Sequence, residues 1–94
     1  SFDLARRRTK EFLVNQHCNI YSHSENRYES YSISIDDEVV TFSCYETKFH
    51  QKKRYSLKQM QCVQGPDPHC LKFIANQSSL QAHFKSRDRV TKWY

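Results

Sequence analysis

Glycine is almost missing from this chain: it occurs once in 94 residues, beside two prolines. That scarcity excludes a Gly-rich disordered tail and a Gly-rich loop cradling a nucleotide phosphate. There is no nucleophile elbow and no HExxH helix either, so the chain reads as a non-enzyme. No apolar run approaches transmembrane length, and the N-terminus lacks the apolar core of a signal peptide. Cys-x2–4-Cys knuckles, which set the bite of structural zinc, are also missing. His17-Cys18 and His69-Cys70, with Cys62 nearby, do not replace them, because neighbours in a strand point to opposite faces. Neither a metal nor a cofactor is expected.

Charge of one sign is in excess. Fifteen Lys and Arg face ten acidic residues, a net +5 that favours anionic lipid headgroups, an acidic protein face or nucleic acid. The length fits one domain, with little room for both a scaffold and a deep enzyme cleft. The opening "SFDLARRR", without a Met, reads as the edge of a domain cut from a longer protein. Cys18, Cys44, Cys62 and Cys70 permit two disulfides or four buried thiols. Cys62 and Cys70 flank "GPDP", the strongest turn signal in the chain.

Along the chain, residues 1–10 are expected to form an arm or short helix, with Phe2, Ala5, Thr9 and Phe12 at helical spacing. The first strand is expected from about Glu11, with Phe12, Val14, Cys18 and Ile20 in one alternating register. After the polar turn "HSEN", Tyr31, Ile33 and Ile35 alternate with Ser30, Ser32 and Ser34. Asp36-Asp37 supplies a turn, and Val40, Phe42 and Cys44 line one face of the returning strand. "TKFHQKKR" (47–54) reads as a basic loop. In "YSLKQMQCVQG" the apolar positions slip from Leu57 to Met60 and Cys62, as at a bulge or bend. "CLKFIA" and "LQAHF" form a second hairpin across Asn76–Ser79, with Leu71, Phe73, Leu80, Ala82 and Phe84 alternating. Ser86 then caps a helix carrying Val90, Trp93 and Tyr94 on one face. The fold class is mainly β with α: a small antiparallel barrel or meander of six to seven strands, capped by a C-terminal helix.

The hairpin "RYESYSISIDDEVVTFSCYE", the basic loop and the tail through "HCLKFIANQSSLQAHFKSRDRVTKWY" resemble a pleckstrin-homology (PH) domain. The matching features fall on Arg27-Tyr28, Ser56-Leu57, Leu71–Ile74, Leu80–Ala82 and Trp93, and the resemblance covers residues 11–94. It implies a single β-barrel domain whose C-terminal helix plugs one end through Trp93 and Val90, over a core that includes Phe42 and Phe73. It further implies a cytoplasmic recruitment module, peripheral to membranes, in a signalling, cytoskeletal or trafficking protein. One departure concerns the first hairpin loop, where lipid-binding relatives carry Lys and Arg. Here that loop is "SHSEN", with Arg27 the one near match and Glu29 where another basic residue is expected.

The expected ligand is therefore an anionic phospholipid surface or an acidic protein partner, met by Lys48, Lys52, Lys53 and Arg54. Arg27 and Lys58 are expected as outer contributors, and Arg6, Arg7 and Arg8 as an exposed N-terminal arm. Two alternatives stand beside this reading. One is a secreted or ectodomain β-rich receptor-binding module held by disulfides. The other is single-stranded RNA binding, with Tyr28, Tyr45 or Phe49 as stacking residues.

Overall fold

Two-residue alternation organises most of the chain into strands, and their inner residues make one core. The computed structural model describes residues 2–14, 16–46, 50–86 and 90. It begins with helix α1 (Phe2–Leu13) and continues through β1 (His17–Ser22), β2 (Arg27–Asp36), β3 (Val39–Cys44) and β4 (Lys52–Ser56). A 3₁₀ turn (Leu57–Gln59) leads to β5 (Gln61–Gln64), β6 (Cys70–Ala75) and β7 (Ser78–His83). Every strand pair is antiparallel. The order across the seven-stranded sheet is β4-β3-β2-β1-β7-β6-β5. The four-strand wing β1–β4 and the three-strand wing β5–β7 thus join where β1 pairs with β7. β4 and β5, consecutive in the chain, are the two edges, and no ladder closes the sheet between them.

The sheet curls over its apolar face. Phe42 on β3 and Phe73 on β6 are four strand steps apart in the sheet, about 19 Å if it were flat. Their ring centroids are 5.5 Å apart. Both rings are fully buried, in a core with buried Ile33, Val40, Leu71, Leu80 and Ala82 from both wings. The register puts Ile33 opposite Phe42, Ile35 opposite Val40, and Phe73 opposite Leu80. Cys18, Tyr31 and Cys44 form one inner rung across β1, β2 and β3. There burial first, then the neighbouring Cys44, Glu29 and Cys18, push the Tyr31 phenol up to about 12, so it stays protonated.

One end of the curl is occupied by α1. Thr9 and Leu13 turn inward and are buried, while Phe12 meets Phe84 edge-on with centroids 5.1 Å apart. Lys10, in the last helical turn, favours the helix dipole. Helix rather than strand therefore runs through Leu13, and β1 starts at His17, later than the expected start near Glu11. A tertiary face at positions 9 and 13 outweighs the strand-like run Phe12-Leu13-Val14. Of the expected closing helix, Val90 is described: it is helical, fully buried, and its N–H donates to the Ser86 carbonyl at 3.4 Å. Trp93 and Tyr94 lie outside the described residues.

The slip at Leu57 is a corner rather than a bulge. Leu57 is buried in the 3₁₀ turn, and its N–H donates to the Glu38 carbonyl at 2.8 Å. The chain there leaves one edge of the sheet for the other. The first tight turn sits on Asp37 and Glu38, one residue beyond the expected pair, with φ of 52° and 64°. No helix among the described residues is long and apolar enough to cross a membrane.

Candidate functional site

The cationic residues singled out in the sequence do not share one place. Lys48 lies outside the described residues. Lys52, Lys53 and Arg54 belong to strand β4 and not to a loop. As strand neighbours they separate: Lys52 and Arg54 stand exposed on the outer face beside Ser43 and Thr41. Lys53 is half-buried on the inner face, opposite Phe42. Charged side chains suit β4, because it is an edge strand and charge discourages edge-to-edge pairing. Arg27 lies at the far end of β2, where its Nη2 is 3.5 Å from Glu29 Oε2.

Lys58 has the most consequential surroundings. Leu57 anchors the 3₁₀ turn in the core, and this anchor sets the exposed Lys58 beside α1. Arg6, Arg7, Lys10, Lys58, Leu57 and Glu38 together line a groove of about 420 Å³. Arg6 and Lys58 also border an adjoining depression with Gln59, Met60 and Gln61. Among the described lining residues, four cations stand beside one carboxylate. Lys10 Nζ is 3.2 Å from Glu38 Oε1, an exposed pair of the kind worth well under about 1 kcal/mol. Among its described lining residues, cations thus outnumber acids at the end of the molecule that α1 occupies. Arg6 and Arg7 reach it because they sit on a docked helix, not on the expected free arm. Residues 6–10 and 58 are far apart in sequence, and no local signal joins them.

The other candidate chemistries are located as follows. All four cysteines are free thiols, so the disulfide alternative has no bonded pair. Burial pushes the Cys18 thiol up to about 12 and, with help from Asp67, the Cys70 thiol up to about 11. Cys62 also rises to about 12 by burial, against a hydrogen bond from Thr9 that pulls the other way. Thiols held protonated in this way are weak nucleophiles and weak metal ligands. Tyr28 is exposed and meets Tyr21 and His83 edge-on, each at 5.2 Å. Tyr45, also exposed, contacts His50, and Phe49 lies outside the described residues.

Compared with known families, curated proteins and solved structures, the chain matches none.

Proposed function

We propose that this chain is a non-catalytic, PH-like binding module that docks on anionic phospholipid through the groove between α1 and the 3₁₀ turn. The observation that carries the reading is the convergence of Arg6, Arg7, Lys10 and Lys58 on one surface, beside Glu38, the one acid in its described lining. Each basic residue near an anionic bilayer contributes on the order of 1 kcal/mol, so a small cluster suffices for reversible recruitment. The two-winged curled sheet, with β1 joining β7 and a helical Val90 buried after the last strand, supports the PH-like reading and its barrel form. Relative to the sequence expectation, the docking surface moves from residues 48–54 to the helix-side groove, with Lys58 common to both.

Vesicle sedimentation tests this. Arg7→Glu/Lys58→Glu, both at exposed positions, is expected to lower pelleting with phosphatidylserine-containing vesicles by about tenfold or more, two charge reversals being involved. Lys52→Glu/Arg54→Glu on the outer face of β4 should leave most of the binding. Equal pelleting of wild type and the Arg7/Lys58 variant would end the proposal.

A further inference from the structure

At the end of the curl opposite α1, a carboxylate is buried where the alternation calls for an apolar residue. Glu29 continues the inner row Tyr31, Ile33 and Ile35, opposite Ile20 on β1. Its side chain is 1% exposed, and its Oε2 accepts no hydrogen bond. Arg27 Nη2 lies 3.5 Å away, but that side chain is itself 53% exposed. A buried carboxylate without full hydrogen bonding is destabilising by several kcal/mol unless something else is gained.

Glu29 lies within an open cleft of about 700 Å³ formed where β1, β2, β4 and β7 meet. That volume suits a small-molecule site. Ile20, Tyr31 and Leu80 supply apolar wall, and Tyr28 stands at the exposed rim. Lys53 lines the same cleft, from the inner face of β4. Lys53 and Glu29 form no ion pair, and no other ion pair involves Lys53 among the described residues. Lys53 and Glu29 therefore share one cleft without pairing with each other, and the one cation near Glu29 among the described residues is Arg27, itself half-exposed to solvent.

We propose that this cleft binds a small zwitterion, with a primary ammonium at Glu29 and an anionic group at Lys53. A simple cation would satisfy Glu29 but meet repulsion from Lys53 and Arg27, while a simple anion would face Glu29. A dipolar ligand complements both ends at once. Oε2 is itself covered, so binding turns the Glu29 carboxylate towards the ammonium, which supplies the hydrogen bond that Oε2 lacks, while Tyr31 and Leu80 flank the short methylene stem. Two sources carry this chemistry, a free ammonium–phosphate or ammonium–carboxylate compound and the headgroup of an ethanolamine lipid. The site is separate from the basic groove, so each proposal stands or fails alone.

Three soluble probes decide it: O-phosphoethanolamine, ethylamine and inorganic phosphate, each titrated into the isotope-labelled chain by NMR. The expected result is saturable shifts at Tyr31, Lys53 and Leu80 with O-phosphoethanolamine alone. Glu29→Gln, which keeps the side chain's shape, and Lys53→Met at the half-exposed rim should each weaken that binding about tenfold. Tenfold is about 1.4 kcal/mol, in line with one charge-assisted hydrogen bond. Saturation by ethylamine or phosphate at equal affinity overturns the proposal, as does full affinity in both variants. A second arm uses phosphatidylcholine vesicles doped with phosphatidylethanolamine. Pelleting lost in Glu29→Gln identifies the source as a lipid headgroup, and soluble-probe binding without such pelleting identifies a free compound. Failure of both arms overturns the proposal.

Discussion

Phe42 and Phe73 stand four strands apart in the sheet, yet their rings pack with centroids 5.5 Å apart at a tilt of 58°. That contact joins the two wings across the core, so it reports on the curl itself. Truncating either ring to Ala is expected to destabilise the domain by about 3–5 kcal/mol, a large share of a small domain's stability. The gentler pair Phe42→Leu and Phe73→Leu is more informative. In a double-mutant cycle followed by urea unfolding, the two changes should couple by about 0.5–1.5 kcal/mol. Strict additivity would mean that the wings do not meet.

The thiols make an alkaline-stability prediction with a defined sign. In the folded chain Cys18 and Cys62 are raised from 9.0 to about 12, Cys70 to about 11, and Tyr31 from 10.0 to about 12. Unfolding releases these protons once pH passes the ordinary thiol value, so above it the unfolded state binds fewer protons than the folded one. Their stabilisation is thus fully present below about pH 8.5 and is lost as pH rises towards the folded values. The urea midpoint should decline from pH 9 upward, with a shallower decline in Cys18→Ala. An unchanged slope in that variant would refute the assignment. At neutral pH, the fully buried Cys18, Cys44 and Cys70 should react with a thiol reagent no faster than the chain opens.

Much of this architecture is legible in the sequence because β-strands with one wet face write their period directly. The Ser–Ile alternation of β2 fixes both its extent and its inner face, and the same holds for Phe42 in β3 and Phe73 in β6. Legibility fails where two physical readings share one pattern. Phe12-Leu13-Val14 fits a strand or the end of a helix, and Thr9 and Leu13, both buried, decide for the helix. Lys52–Arg54 fits a loop or a charged edge strand, and only the ladder with β3 decides. Both candidate sites are long-range products of the fold. Lys58 meets Arg6 and Arg7 through α1, and Glu29 shares a cleft with Lys53 because the sheet curls.

Gly65, the single glycine, owes its place to contact and not to an unusual backbone angle. Its N–H donates to the Cys70 carbonyl at 2.9 Å across the turn between β5 and β6. A methyl group there would run into Cys70 Sγ and lie 2.8 Å from its Cβ. Gly65→Ala should therefore destabilise the domain by about 1–3 kcal/mol through overpacking. Adding Cys70→Gly, which removes the opposing side chain, should cost less in that background than it does alone. Equal costs in the two backgrounds would show that residue 65 does not touch Cys70.

With glycine so scarce, the hairpins turn on non-glycine residues in left-handed backbone, some of which tolerate it and some of which do not. Asn76 and Gln77 connect β6 to β7 with φ of 49° and 67°. Two central residues at positive φ make the mirror-image turn that matches strand twist, and its favoured sequence is Asn-Gly. Asn tolerates that conformation, whereas a Gln there is strained by its Cβ. Gln77 is exposed, so its side chain contributes little packing to set against that strain. Gln77→Gly is accordingly expected to stabilise the domain, by about 0.5–1 kcal/mol, even though glycine increases the freedom of the unfolded chain. The turn at Asp37 and Glu38 is a less clean place for the same change, since Glu38 also pairs with Lys10 and lines the basic groove. Urea unfolding of Gln77→Gly measures the gain, and a midpoint lower than wild type would mean that the hairpin does not turn through left-handed residues at 76 and 77.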